Sequence, residues 1–237
     1  MWTRVDRRGE LYLSTFFMKR YLPFIIVIGV ALLAVGSGIF FYRAKSSANP
    51  TPKISKTETA LSGESIHALG PKDAPVTLEE FGDFQCPPCG KLSEPINQLQ
   101  KKYNLRVIFR QFPLPMHANA KEAAFASEAA ARQGRFWQMH DLLYREQAVW
   151  SKSTDARALF NAYAGMLQLD LGRFRKDMDS AEVQQQVETD QQRGADIGVK
   201  TTPTIFLNDE VVPPKQINPD ELPAMVEAAM KKAKPSS

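Results

Sequence analysis

The chain has two cysteines, and both fall in one C-x-x-C, Cys86-Pro87-Pro88-Cys89. Two sulfurs one helical turn apart suit reversible thiol–disulfide exchange, in which one thiolate attacks and the other resolves the mixed disulfide. The spacing has mechanical meaning at a strand-to-helix junction. There Cys86 stands at the helix N-terminus, where free N–H groups and the positive end of the helix dipole stabilise a thiolate. Pro87 at the first helical position sacrifices no hydrogen bond. Cys89, one turn on, is then the more buried, resolving thiol. A structural disulfide is a second reading, although so small a loop stabilises little. Half a zinc site is a third. It needs four ligands, and His67, His117 and His140 are the histidines available, at no standard spacing.

Two features outside the pair bear on the same chemistry. Glu80 lies six residues before Cys86 on a predicted strand. A carboxylate on a buried strand is costly unless protonated or paired, and beneath a dithiol it can shuttle the proton of the buried thiol. The rival reading is an outward glutamate on an edge strand, which neighbouring Glu79 fits better. Thr202-Pro203 precedes the run TIFL. A cis bond there would place the Thr202 backbone beside the cysteines, where an extended client chain can pair with it, although cis accounts for only about 5–6% of X-Pro bonds.

The elements that must position these residues follow from apolar periodicity. Residues 76–81 read as a strand and 88–102 as a helix with Leu92, Ile96 and Leu99 on one face and Pro95 predicting a kink. Residues 105–112 read as a second strand. Helices are expected over 118–132, 136–150, 155–167, 171–178 and 181–197, their apolar stripes facing a core. Strands return at 204–207 and 210–212 around an Asn208-Asp209 turn. A last helix covers 221–232, with Asp220 as its cap and Pro223 tolerated in its first turn. The order is β, α, β, a helical block, β, β, α.

The N-terminal part differs in character. Residues 21–42 contain no charge, and a helix of 22 residues spans roughly 33 Å, enough for a bilayer core. Arg4, Arg7, Arg8, Lys19 and Arg20 precede the stretch, which puts the N-terminus in the cytoplasm and the remainder outside. A cleaved signal peptide is the competing reading, with small residues near Ala44, Ser46 and Ala48 for cleavage, although its apolar core is normally shorter. Residues 43–64 are rich in Ser, Thr, Pro and Lys and read as a tether. The expected organisation is therefore a cytoplasmic segment 1–20, a transmembrane anchor 21–42, a linker 43–64, a domain formed by 65–116 and 198–237, and a helical insertion 117–197. The anchor also accounts for the charge. The chain carries +4 overall, but +3 of it lies within residues 1–42, so the rest is nearly neutral. A pI near 9.0 is thus a topology signal and not a nucleic-acid footprint. Two cysteines exclude a disulfide-stapled scaffold, a ferredoxin-type cluster and any four-cysteine site.

The stretches FGDFQCPPC (81–89), FRQFPLPMHANA (109–120), GRFWQMHDLLYREQAVW (134–150) and GVKTTPTIFLN (198–208) together resemble the DsbA-type branch of the thioredoxin fold, the membrane-anchored or secreted thiol–disulfide oxidoreductases of bacteria. The resemblance covers roughly residues 66–232 and implies an α/β thioredoxin-like fold, a central mixed sheet flanked by helices, with an inserted helical subdomain. It implies Cys86 as nucleophile, Cys89 as resolving thiol, Glu80 at the buried-acid position and a cis Pro203 preceded by Thr202. It implies protein clients bearing thiols or disulfides, a membrane redox partner (a quinone-linked oxidase or a transmembrane reductase), no cofactor beyond the redox disulfide, no metal and no nucleic acid, and an extracytoplasmic domain at the bacterial inner membrane. His117 and His140 read as structural. One departure matters. Strong oxidants of this branch carry a histidine where Pro88 stands, so a less oxidising couple and a less depressed Cys86 pKa are expected. Thr202 resembles the isomerase branch. A reductase or isomerase of the same fold, and a tethered chaperone or metal carrier using the two thiols as ligands, remain as alternatives.

Overall fold

The computed structural model describes residues 67–233. The stretch 21–42, the tether and the last four residues lie outside them. Among the described residues no helix is long and apolar enough to cross a membrane.

The sheet has five strands: β1 (Ala68–Leu69), β2 (Thr77–Gly82), β3 (Arg106–Gln111), β4 (Thr204–Leu207) and β5 (Glu210–Val211), in the order β1-β3-β2-β4-β5. β2 runs parallel to β3 and antiparallel to β4. The parallel pair needs a crossover, which is α1 (Pro87–Tyr103). Between β3 and β4 come α2 (Ala120–Ala131), α3 (Phe136–Arg145), α4 (Gln147–Trp150), α5 (Ala156–Met166), α6 (Leu171–Met178) and α7 (Ala181–Asp196). A short 3-10 turn (Pro214–Gln216) and α8 (Leu222–Ala233) close the described chain.

Alternation along β2 decides what each face meets. Leu78 joins Leu92, Ile96, Leu99, Ile205, Leu222 and Val226 in one core, so α1 and α8 pack on that face. Phe81 points the other way, to Val199, Phe206 and Phe112. A third and larger core joins Cys86, Cys89, Phe84 and Phe109 to Phe125, Met139, Leu143, Trp150, Phe160 and Phe174 of the inserted helices. The dithiol therefore lies where the sheet domain and the insertion share apolar packing.

Local signals account for most boundaries. Asp155, Asp170 and Ser180 each accept a hydrogen bond from the backbone N–H three residues on, at 3.1, 2.9 and 3.3 Å, and start α5, α6 and α7. α1 runs on through Pro95 and ends at Asn104, whose φ of 51° is the left-handed cap.

Four expectations are corrected. β1 was not anticipated, because two residues show no period; it pairs antiparallel with β3. The helix expected over 136–150 breaks at Glu146 into α3 and α4. Asp220 is not the cap of the last helix: Asn218 Oδ1 accepts from the N–H of Asp220 and Glu221, at 3.0 and 2.9 Å. Neither glutamate of β2 is on an edge, because that strand is paired on both sides. Glu79 instead accepts from Arg110 Nε at 2.8 Å and from Arg193 Nη2 at 3.2 Å.

That glutamate belongs to a network binding α7 to the sheet. Arg110 also donates to Asp190 at 3.1 Å, and the Gln111 N–H donates to the same carboxylate at 3.0 Å. Asp190 is 1% exposed. Removing one member of a buried pair strands the others. Asp190→Ala should therefore cost about 3 kcal/mol in a denaturant titration, and an unchanged midpoint would show that the network contributes nothing.

Candidate active site

Cys86 is the N-cap of α1, with φ −74° and ψ 118°, and Pro87 and Pro88 occupy its first turn. The loop before it is set by Asp83. The Asp83 carbonyl accepts from the Cys86 N–H at 3.0 Å. Its buried carboxylate accepts from the Gln85 N–H (2.7 Å), the Leu114 N–H (2.8 Å) and His117 Nδ1 (2.7 Å).

The insertion holds the same loop from the other side. Gln147 Nε2 donates to the carbonyls of Phe84 (2.6 Å) and Cys86 (2.9 Å). It lies against Gly90, where a Cβ would come within 2.9 Å of Gln147 Oε1. Gln85 accepts from the Asn119 N–H at 2.7 Å and donates to the Ser151 carbonyl at 2.8 Å. Asp83, Gln85 and Gln147 were not singled out in the sequence. An aspartate accepting from the N–H two residues on is a readable turn signal for Asp83. Nothing local marks Gln147, whose partners lie 61 and 63 residues away.

The two sulfurs are unlike. Cys86 is 5% exposed and Cys89 fully buried. The Cys86 thiol donates to the Thr202 carbonyl at 3.3 Å. Its pKa is lowered to about 6, chiefly by the hydrogen bond from the Cys89 thiol, with further help from the Cys89 N–H; burial and the Asp83 charge oppose the shift. Burial pushes the Cys89 thiol well up, and the hydrogen bond to Cys86 and the Glu80 charge add to it. Glu80 is buried on the central strand. Desolvation first, and the Cys86 charge second, raise it to about 8. The Thr202–Pro203 bond is cis.

The structure thus brings Cys86, Cys89, Glu80, Thr202 and Pro203 together. The three histidines serve elsewhere. His67 and Glu128 bond at 2.8 Å with both side chains buried, and His117 holds Asp83. His140 bonds Asp141 at 2.9 Å within a ring of Phe84, Phe109, Trp137 and Tyr144, where burial lowers its pKa. A cavity of about 710 Å³ lined by His67, Glu128, Arg132 and Trp137 includes none of the dithiol residues.

A family model described as thioredoxin matches residues 62–228, and the chain belongs to that family. Its fold is of the DsbA type. It is similar to BdbD from Bacillus subtilis, with 28% identity and a TM-score of 0.60 over 69% of this chain and 92% of that one. It is similar in fold to the thiol-disulfide exchange protein alpha-DsbA2 of Wolbachia pipientis, at 16% identity and a TM-score of 0.60, over 70% of this chain and 86% of that one. Among curated proteins it is 41% identical over 145 residues to Na(+)/H(+) antiporter NhaA 1 of Salinispora arenicola, covering 60% of this chain and 21% of the antiporter. It is 33% identical over 190 residues to Na(+)/H(+) antiporter NhaA 1 of Mycolicibacterium gilvum, covering 77% and 30%. The chain thus spans between a fifth and a third of the length of these relatives.

The opposed shifts have opposed consequences for stability. The folded Cys86 value of about 6 lies below an unfolded thiol at about 8.5. The unfolded state therefore binds the extra proton in that window, and the dithiol form gains stability as pH rises from about 6 to about 8.5 and loses it as pH falls through 6. Glu80 acts oppositely. Its folded value of about 8 exceeds the unfolded value of about 4.3, so its contribution falls as pH rises across that range. Glu80→Gln should remove this fall and expose the rise due to Cys86 between about pH 6 and 8.5. Chemical denaturation of the reduced chain across pH measures it, and a flat profile in the variant would contradict the assigned thiolate.

Proposed function

We propose that this chain is a protein thiol–disulfide oxidoreductase that works through the Cys86–Cys89 couple. The observation that carries the reading is the pairing of a thiol of lowered pKa at a helix N-terminus with a buried thiol of raised pKa one turn away. Cys86 attacks a client disulfide, Cys89 resolves the mixed disulfide, and Glu80 carries the Cys89 proton. The Thr202 backbone, held beside Cys86 by the 3.3 Å contact, offers its carbonyl to an extended client. The clients are proteins with thiols or disulfides, and a membrane redox partner resets the couple. The charge-free stretch 21–42 and the basic residues before it support a single-pass anchor in the bacterial inner membrane with the dithiol outside the cytoplasm. Ion transport is not carried over from the antiporters, because the shared part is a minor share of their length.

Turnover of a protein disulfide with dithiothreitol or glutathione tests the reading. Cys86→Ala should abolish it, and Cys89→Ala should trap mixed disulfides that gel analysis detects. A metal carrier would instead show thiol-dependent Cu(I) binding with no turnover in the unaltered chain.

The direction of exchange follows the potential. A Cys86 pKa of about 6 is nearer the ~7 of thioredoxin than the ~3.5 of the strong oxidant DsbA. The less the thiolate is stabilised, the less oxidising the disulfide. Equilibration against glutathione buffers should place the couple below DsbA's roughly −120 mV, and Pro88→His should raise it. A value at or above that figure in the unaltered chain would overturn this ranking.

A further inference from the structure

Three buried side-chain oxygens near the dithiol have no hydrogen-bond partner: Glu80 Oε1, Thr202 Oγ1 and Tyr144 Oη. Glu80 and Thr202 belong to the sheet domain, whereas Tyr144 comes from α3 of the insertion. The Tyr144 ring is packed against Phe84 and His140, each at 4.9 Å between centroids, and edge-on to Phe109 at 6.4 Å. Those contacts need a ring, and phenylalanine would satisfy them. The hydroxyl needs another reason, since burying it unpaired costs stability.

Its position supplies one. A Cβ built on Gly82 would lie 3.0 Å from Tyr144 Oη and 2.5 Å from Phe109 Cε2, so the hydroxyl fills space that a side chain at 82 would take. Gly82 is two residues beyond Glu80 and on the same face of β2. Tyr144, Cys86 and Cys89 share one apolar cluster. Burial holds the Tyr144 phenol well above its usual range, and the Cys89, Glu80, Asp83 and Cys86 charges push it further, Cys89 the most among them. The group is therefore a protonated donor throughout the range in which Cys86 and Glu80 titrate.

We propose that the Tyr144 hydroxyl is the donor that receives the Cys89 sulfur when that thiol ionises, so that the insertion takes part in the resolving step. The proposal rests on the oxidoreductase reading above. In that step a client is joined to Cys86 by a mixed disulfide. The Cys89 thiol gives its proton to the ionised form of Glu80, and the resulting thiolate attacks Cys86 Sγ. The Cys86–Cys89 bond forms as the Cys86–client bond breaks. The client sulfur leaves with the electron pair and is protonated, so the dithiol is oxidised and the client reduced; oxidation of a client runs the same steps backwards. A thiolate at the fully buried Cys89 has no water to solvate it, and a fixed hydroxyl takes that place. In the dithiol the hydroxyl makes no hydrogen bond to the Cys89 sulfur or to any other group, so the bond forms only when the thiol ionises.

Tyr144→Phe in the full chain tests this. The reduced protein is mixed with dithiobis-nitrobenzoate, which releases one thionitrobenzoate when Cys86 attacks and a second when Cys89 resolves. The first release should keep its rate. The second should slow about tenfold, the effect of losing one hydrogen bond to a charged group, and its pH profile should move to higher pH. The thermal midpoint of the dithiol form should stay or rise, because an unpaired buried hydroxyl has been removed. A second phase with unchanged rate and pH profile overturns the proposal. So does equal slowing of both phases with a lowered midpoint, which assigns the residue to ring packing alone. No second release from the unaltered chain would instead overturn the oxidoreductase reading.

Discussion

The site depends on an asymmetry between two identical side chains. One sulfur belongs to the N-cap residue of a helix, where the Cys89 N–H and the helix dipole favour a thiolate; the other lies one turn deeper, where burial disfavours a charge. A single hydrogen bond between them deepens the difference, lowering one pKa and raising the other. The rest of the neighbourhood maintains that difference. Glu80 sits on the central strand, where burial keeps its proton to about pH 8. The cis peptide before Pro203 sets a carbonyl against the outer sulfur.

The insertion is tied into this arrangement and does not merely shelter it. Gln147 holds the carbonyls of Phe84 and Cys86, and Gln85 reaches Asn119 and Ser151. His117 completes the Asp83 cluster from the loop that leads into α2. These bonds tie the loop at the mouth of α1 to the insertion, at a position where misplacing one sulfur by an ångström defeats exchange. On the opposite face, Arg110 and Asp190 fasten α7 to the sheet by a charged network that packing alone would not orient.

Much of this was legible in the residues. The dithiol, the helix following it, both long strands and the block of helices announced themselves through spacing and periodicity. What escaped was non-local. The two-residue β1 carries no period and exists because β3 offers a free edge. The edge-strand reading of Glu79 failed because strand order is set by pairing with β4, well over a hundred residues away. Asp220 is not a cap because it lies inside an Asx turn, in which Asn218 accepts from the Asp220 and Glu221 N–H groups before the helix begins at Leu222. Gln147 and Tyr144 are ordinary helical residues until the fold carries them to the cysteines.

The separation of the two sheet halves has a consequence during synthesis. Cys86 and the carbonyl it bonds at Thr202 are 116 residues apart, and every pairing between β2 and β4 spans a comparable length. A nascent chain therefore presents both thiols long before the strand that walls them has emerged. Loops so long close late, after the helices between them can form from local contacts. A growing polypeptide of this kind is a pair of ordinary cysteines until residues 202–207 have emerged and becomes a tuned redox couple only then, which ties its reactivity to the arrival of β4.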